Sequence, residues 1–297
     1  MTTAGPDMVN KILKNEVIDI IRGAISEDLG SLGDLTSKNL IPPDNGASSY
    51  IICKEAGGAV LSGLDVAGFV IDEIDRNINI DKLKNDGDSL KYMDRICNIA
   101  GPALSILKAE RTCLNFIQHM SGIATLTGKF VKIAGPYKVK IFDTRKTKPL
   151  LRRIEKYAVT CGGGHNHRFG LFDGIIIKDN HIAAAGGVLS ALKKIRTKIS
   201  RDLKIEVEVK DFGQLDEAIA GGADIIMLDN MDAGQMSKAV RKIKENKKKP
   251  CLTEASGKIN LENLEEICRT GVDIVSVGLI THSAPAVDFS LEFEKEV

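Results

Sequence analysis

From residue 138 onward the sequence repeats one pattern: a short β-branched run followed by a longer stretch with helical spacing. The strand-like runs fall at 138–143, 173–178, 204–209, 224–228, 251–254 and 273–277. The helical stretches fall near 150–159, 188–199, 213–220, 235–244 and 261–269. Two units share a G-x-D start, at Gly222-Ala223-Asp224 and Gly271-Val272-Asp273. Strands alternating with helices give βαβ units and a parallel sheet, and successive right-handed crossovers can close such a sheet into a barrel. Six units are two short of the eightfold form, so an incomplete α/β barrel is expected, with an open doubly wound sheet as the alternative.

The first part of the chain lacks that repeat. Residues 8–29 carry Ile12, Leu13, Val17, Ile20, Ile21 and Ala24 at helical spacing and stop at Gly30. Short runs at 48–53, 58–62 and 90–99 read as strands separated by turn glycines, and 109–134 reads as a helix ended by Gly135-Pro136. This predicts an N-terminal α+β domain over 1–115, a barrel domain over 116–279, and a tail, 280–297, that packs back on the first domain. Hydrophobic residues make up 43% and charged residues 27% of the chain, the mix of a globular protein and not of a disordered one. No apolar run approaches the ~20 residues of a membrane helix. The stretch 1–15 lacks an apolar targeting core, and the cysteines Cys53, Cys97, Cys113, Cys161, Cys251 and Cys268 include no C-x-x-C pair. A cytoplasmic protein without disulfides is expected.

Net charge is +1, so no global field draws in nucleic acid, and aromatics at 4% offer few stacking platforms. Charge is instead concentrated locally. Between Arg145 and Lys178 stand Arg145, Lys146, Lys148, Arg152, Arg153, Lys156, Arg168 and Lys178 against only Glu155 and Asp173. A solvated helix face accounts for Arg152, Arg153 and Lys156. It does not account for Arg145, Lys146, Arg168 and Lys178, which lie beside strand runs or in a glycine-rich loop.

Each apolar run also ends in a polar residue. Ile141-Phe142 leads into Asp143-Thr144-Arg145-Lys146, Ile175-Ile176-Ile177 into Lys178, Val207 into Glu208, Met227-Leu228 into Asp229, and Thr253 into Glu254 and Ser256. In α/β barrels the C-terminal strand ends host the site, and in open sheets they line the ligand crevice. The cations suit carboxylates or phosphates. Glu208 and Asp229 suit Mg²⁺ or ribose hydroxyls. The small residues of Ala255-Ser256-Gly257 and Ser276-Val277-Gly278 offer backbone N–H groups to a phosphate. A multiply anionic, phosphorylated substrate set is implied.

Other features have blander readings. Gly162-Gly163-Gly164-His165-Asn166-His167-Arg168 matches no nucleotide-binding pattern and reads as a flexible turn. His165 and His167 would hold zinc only with a third ligand from elsewhere, and no cysteine pair supplies one. His119 and His282 read as structural or surface groups, and Lys247-Lys248-Lys249 as a solvated helix end. Lys178 as a Schiff-base lysine, or the whole pocket as a non-catalytic metabolite sensor, are the rivals from other classes.

The motifs together resemble the quinolinate phosphoribosyltransferase family, also called nicotinate-nucleotide pyrophosphorylase (carboxylating). The resemblance is carried by Asp143-Thr144-Arg145-Lys146-Thr147, Glu155-Lys156-Tyr157-Ala158-Val159, Gly162-Gly163-Gly164, Asn166-His167-Arg168 and Lys178-Asp179-Asn180-His181. Glu27-Asp28-Leu29-Gly30, Ala109-Glu110-Arg111-Thr112, Glu206-Val207-Glu208-Val209 and Leu228-Asp229-Asn230 extend it over nearly the whole chain. Lys148-Pro149-Leu150-Leu151-Arg152 departs from the family's usual Thr-Pro-Gly-Leu-Arg, and the turn between Gly30 and Gly33 looks one residue longer than common.

The resemblance implies an N-terminal α/β sandwich, an incomplete barrel and a homo-oligomer, dimer or hexamer, with shared sites. It implies transfer of phosphoribose from phosphoribosyl pyrophosphate to quinolinate, with Mg²⁺, giving nicotinate mononucleotide, pyrophosphate and CO₂ for NAD biosynthesis; a sister enzyme acting on nicotinate is the near alternative. By matched position, Arg145, Lys146, His167, Arg168 and Lys178 would bind carboxylates and phosphates, and Arg111 would reach a neighbouring subunit's site. Glu208 and Asp229 would serve ribose and metal, and Ser256, Gly257 and Gly278 the 5′-phosphate. Lys146, Glu208 and Asp229 would carry the catalysis.

Overall fold

Alternation within single strands explains the barrel's unusual interior. In Ile205-Glu206-Val207-Glu208-Val209 the odd positions are apolar and the even ones acidic. A parallel strand covered on both faces normally reads as a continuous apolar run, so this one has a polar face to place.

The computed structural model describes residues 10–200, 203–246 and 249–294. In chain order the elements are helices α1 (Lys14–Leu29) and α2 (Leu35–Leu40), strands β1 (Gly46–Cys53) and β2 (Ala59–Val60), helix α3 (Leu64–Ile74), strands β3 (Asn79–Lys82), β4 (Ser89–Leu90) and β5 (Arg95–Pro102), and helix α4 (Ala103–Ala134). There follow β6 (Lys140–Phe142), α5 (Arg152–Cys161), β7 (Ile175–Ile177), α6 (Asp179–Ala185), α7 (Val188–Arg196), β8 (Ile205–Val209), α8 (Phe212–Ala220) and β9 (Ile225–Asp229). The chain closes with α9 (Ala233–Glu245), β10 (Leu252–Ser256), α10 (Leu264–Arg269), β11 (Ile274–Ser276), α11 (Leu279–His282) and β12 (Phe289–Phe293). It divides into two units, one of residues 10–128, 147–163 and 280–294, the other of the described residues within 129–146 and 164–279.

In the first unit β12, β1, β5 and β3 form a four-stranded antiparallel sheet in that order. The C-terminal strand β12 pairs with β1, Ile51 opposite Leu291. Helix α1 buries Val17 and Ile21 and packs on α3 and α5. The division at 115 expected from the sequence falls inside α4, which runs unbroken past it. Helix α5 groups with this unit and not with the barrel: Arg153 donates to Glu16 Oε2 at 2.7 Å and the Tyr157 hydroxyl to Asp86 Oδ2 at 3.0 Å. The solvated face expected of Arg152, Arg153 and Lys156 is therefore wrong, because α5 is packed along its length and Lys156 is fully buried.

In the second unit six parallel strands run in the order β6, β11, β10, β9, β8, β7. No ladder joins the edge strands β6 and β7, so the barrel is incomplete. Register sets Glu208 of β8 and Glu254 of β10 on either side of Met227 of β9. Neighbours in register share a face of a parallel sheet, so Glu206, Glu208, Met227, Asp229, Glu254 and Ser256 share the inward one. Val207, Ile226 and Leu228 alternate with them and are fully buried on the face that the helices, among them α8 and α9, cover; each such side chain contributes roughly 1.5–3 kcal/mol. Helix α9 starts in a reciprocal cap, Asp232 Oδ1 accepting from the Gln235 N–H at 2.8 Å and Gln235 Oε1 from the Asp232 N–H at 3.1 Å.

The helix spacing from residue 8 begins outside the described residues, and α1 starts at Lys14. Lys247 and Lys248 also lie outside them. Lys249 remains partly exposed, but its ammonium is engaged: its Nζ donates to Asp224 Oδ1 at 2.6 Å and to the Gly222 carbonyl at 2.8 Å.

Candidate active site

The polar strand ends meet at one end of the barrel unit. Lys178 follows β7, and its ammonium pairs directly with the half-buried Glu208 carboxylate on the neighbouring strand β8. One strand further on, Asp229 ends β9 in register with Ser256 at the end of β10. Asn230, at φ 53°, joins the two ends, donating its backbone N–H to the Ser256 carbonyl at 2.9 Å and its amide to Asp229 Oδ1 at 2.9 Å. Gly257 has φ 102°, and a Cβ there would stand 2.3 Å from Asn230 Oδ1, so only glycine fits this turn. Gly278 follows β11, whose next residue, Val277, donates to the Phe142 carbonyl at 2.9 Å.

The glycine-rich run is not a flexible turn. His165 donates its N–H to the Ile141 carbonyl at 2.8 Å and accepts from the Asp143 N–H at 3.0 Å, a parallel bridge on the free edge of β6. The buried Asp143 carboxylate then takes the Asn166 amide at 2.8 Å and the His167 N–H at 2.7 Å. The Arg168 guanidinium is anchored on the Gly174 carbonyl at 2.9 Å. Burial, and then the charge of Arg145, push the Arg168 pKa down, which sets these two cations within electrostatic reach of each other. Arg145 and Lys146 are exposed beyond β6.

The two histidines of the run separate. His165 stacks on Phe142 with centroids 5.3 Å apart, and burial followed by the Lys140 charge lowers its pKa. His167 turns inward, its Nε2 3.1 Å from Glu206 Oε2 and 3.6 Å from Glu254 Oε1. Burial would favour its neutral form, but hydrogen bonding and charge from Glu206 and Glu254 outweigh that and raise its pKa to about 10. The Arg168 N–H, 2.9 Å from Nδ1, pulls the other way; two buried carboxylates prevail over one amide. Glu206 is itself raised to about 7, by burial and then by Glu254. These three side chains border a cavity of about 670 Å³ that extends to Lys140, Ile225, Leu252 and Ile274 near the N-terminal strand ends.

Asp143 and Glu254 stand in the sequence only as polar strand-end residues without a role, and Glu206 and Lys210 are not among the expected site residues. Lys210 donates to Asp179 Oδ2 at 2.8 Å, and that bond, with weaker contributions from Asp229 and Glu208, raises its pKa. The even-position acids of β8 and β10 were the available signal, but only register reveals that Glu206 and Glu254 converge. Lys178 sits against a carboxylate, unlike the apolar or cationic setting that activates a Schiff-base lysine. In the other unit Arg111 is exposed on α4, and His119 holds the buried Glu155 at 2.9 Å. His282 is exposed and contacts its neighbour Ser283.

The quinolinate phosphoribosyl transferase N-terminal domain family matches residues 34–121, and its C-terminal domain family matches residues 123–292. The probable nicotinate-nucleotide pyrophosphorylase [carboxylating] of Bacillus subtilis is 44% identical over 266 residues, 90% of this chain and 89% of that one. A Nicotiana tabacum protein named quinolinate phosphoribosyltransferase [decarboxylating] 2a, mitochondrial, is 38% identical over 94% of this chain and 82% of its own. The solved nicotinate-nucleotide pyrophosphorylase of Francisella tularensis superposes with TM-score 0.91 at 41% identity, covering 97% of this chain and 99% of that one. Matched from end to end at this level in both sequence and fold, the chain belongs to the quinolinate phosphoribosyltransferase family.

Proposed function

We propose that the chain performs the decarboxylating quinolinate phosphoribosyltransferase reaction of NAD biosynthesis through the strand-end cations and the Glu208–Asp229 pair. One observation carries the reading: the Lys178 ammonium, suited to a carboxylate, contacts Glu208, suited to a ribosyl cation, with Asp229 one strand away. Arg145, His167, Arg168 and Lys178 receive the two quinolinate carboxylates, and Lys146 takes the pyrophosphate. Ser256, Gly257 and Gly278 receive the 5′-phosphate. Arg111 completes a neighbouring subunit's site in a homo-oligomer. Six free cysteines accord with a cytoplasmic setting, and no helix among the described residues is long and apolar enough to cross a membrane.

The C1–pyrophosphate bond breaks with oxocarbenium character at ribose C1, and the quinolinate nitrogen forms the new bond there. Glu208 and Asp229 stabilise that positive charge electrostatically, and Lys146 stabilises the departing oxyanion. The two carboxylates share the inward face of adjacent strands and fit a hard, oxygen-seeking dication; Mg²⁺, when bound there, neutralises pyrophosphate charge. Quaternising the ring nitrogen then makes it an electron sink. The electron pair of the carboxylate's C–C bond passes to the ring carbon as CO₂ leaves, and that carbon takes a proton. No nucleophilic side chain is needed, and orientation of two polyanions supplies much of the acceleration. The reading is tested by Glu208→Gln and Asp229→Asn, each of which lowers kcat by at least about tenfold while quinolinate still binds. Wild-type kcat in both variants would contradict it.

A further inference from the structure

The interior of the barrel carries an expensive arrangement. Glu206 and Glu254 are 4% and 1% exposed, and Oε1 of each has no hydrogen-bond partner among the described residues, that of Glu254 keeping only its 3.6 Å ion-pair contact with His167 Nε2. Two carboxylates buried with an oxygen apiece lacking a hydrogen bond are costly to keep charged. An apolar pair would serve barrel stability better. Such a cost persists where a site needs it.

What both acids do share is His167. Its Nε2 faces Glu206 on β8 and Glu254 on β10, while its backbone N–H is held by Asp143 beyond β6. Residue 167 is thus held at its ring from β8 and β10 and at its backbone by Asp143, just past the end of β6. The residue that follows is Arg168, whose guanidinium, among the described residues, is held by the Gly174 carbonyl. Glu206 lies two positions before Glu208 on the same inward face, so the ring's support and the ribosyl acid share one strand.

We propose that Glu254, together with Glu206, is a positioning residue for the dicarboxylate substrate: it acts from the barrel interior by fixing the His167 ring, and through it the adjacent Arg168. The inference rests on the reading that His167 and Arg168 meet quinolinate. It predicts a selective defect, because Asp229, Ser256 and the phosphoribosyl end are held by other contacts. The carboxylates also favour the charged ring, adding a cation where two carboxylates must be received.

The test uses the full-length protein with Glu254→Ala, Glu254→Gln, His167→Ala and the Glu254→Ala/His167→Ala double variant, with quinolinate and phosphoribosyl pyrophosphate KM, kcat, Tm and zinc content measured on each. Glu254→Ala is expected to raise quinolinate KM about tenfold and leave the phosphoribosyl pyrophosphate KM within about twofold, with Glu254→Gln, which keeps an acceptor, intermediate. In the His167→Ala background Glu254→Ala is expected to change quinolinate KM less than about twofold. Equal loss toward both substrates, or a full effect of Glu254→Ala without His167, would overturn the proposal. So would stoichiometric zinc in the purified wild type that Glu254→Ala loses, since the triad would then be a metal site. Wild type that binds no quinolinate would instead overturn the underlying functional reading.

Discussion

The Asp143 carboxylate accepts the backbone N–H of His167 at 2.7 Å from the strand end that also leads to Arg145. One buried acid therefore ties the two cation-bearing stretches of the site together, and it holds Asn166 as well. Asp143→Ala leaves a buried amide and a buried carboxamide short of an acceptor, a loss of about 2–4 kcal/mol. Thermal unfolding is expected to show a lowered Tm, with quinolinate turnover reduced more than the folded fraction. Asp143→Ala with wild-type Tm and activity would remove Asp143 from this role.

Leu150 has φ 66° and is 86% exposed, at the position where the family's usual motif has glycine. A left-handed conformation costs a residue with a Cβ about 1–2 kcal/mol, partly offset by the extra unfolded-state freedom of glycine. Leu150→Gly is expected to raise Tm by about 1–3 °C, and Leu150→Ala, which keeps the Cβ, to leave it within about 1 °C. Differential scanning calorimetry on the two variants decides it.

His167 makes stability depend on pH in a set direction. Its pKa in the folded chain, about 10, lies above the ordinary 6.5, so its contribution is fully present below 6.5 and is lost as pH rises through 10. Tm is expected to fall between pH 7 and pH 10, and to fall less in His167→Gln. An equal decline in both proteins would show that the ring is not held in its charged form.

Arg111→Ala and Lys178→Ala are each expected to be inactive, and a mixture of the two to regain activity once subunits exchange. Mass spectrometry of the mixture verifies exchange. Hybrids that form and stay inactive would contradict a site completed by the neighbouring subunit's Arg111.

The six strands were legible because each is a short β-branched run between turn residues, and the sequence ranges meet the observed strands within one residue at each end, except at the starts of β6 and β7 and the end of β10, where they differ by two. Helix α3 and strand β12 were not read. Leu64-Asp65-Val66-Ala67-Gly68-Phe69-Val70 is apolar nearly all round, which hides helical period, and a lone edge strand such as β12 is defined by its pairing with β1 more than by its own residues. Lys178, Glu208 and Asp229 were legible as site residues because a charge at the end of an apolar strand has few structural uses. Glu254 was legible as a polar strand-end residue, but its partnership with Glu206 through His167 was not, since that needs the register of β8, β9 and β10. Lys156 was misread because a basic helix carries no local sign of its tertiary packing, and this lysine is fully buried.

In the proposed reaction the strand-end cations and the Glu208–Asp229 pair serve one decarboxylating phosphoribosyl transfer. Its most direct test is the release of labelled CO₂ from carboxyl-labelled quinolinate by the purified protein with phosphoribosyl pyrophosphate and Mg²⁺. CO₂ and nicotinate mononucleotide are expected in equal amounts, both dependent on Glu208 and Asp229. Nicotinate mononucleotide formed from nicotinate alone, with no CO₂ from quinolinate, would contradict it.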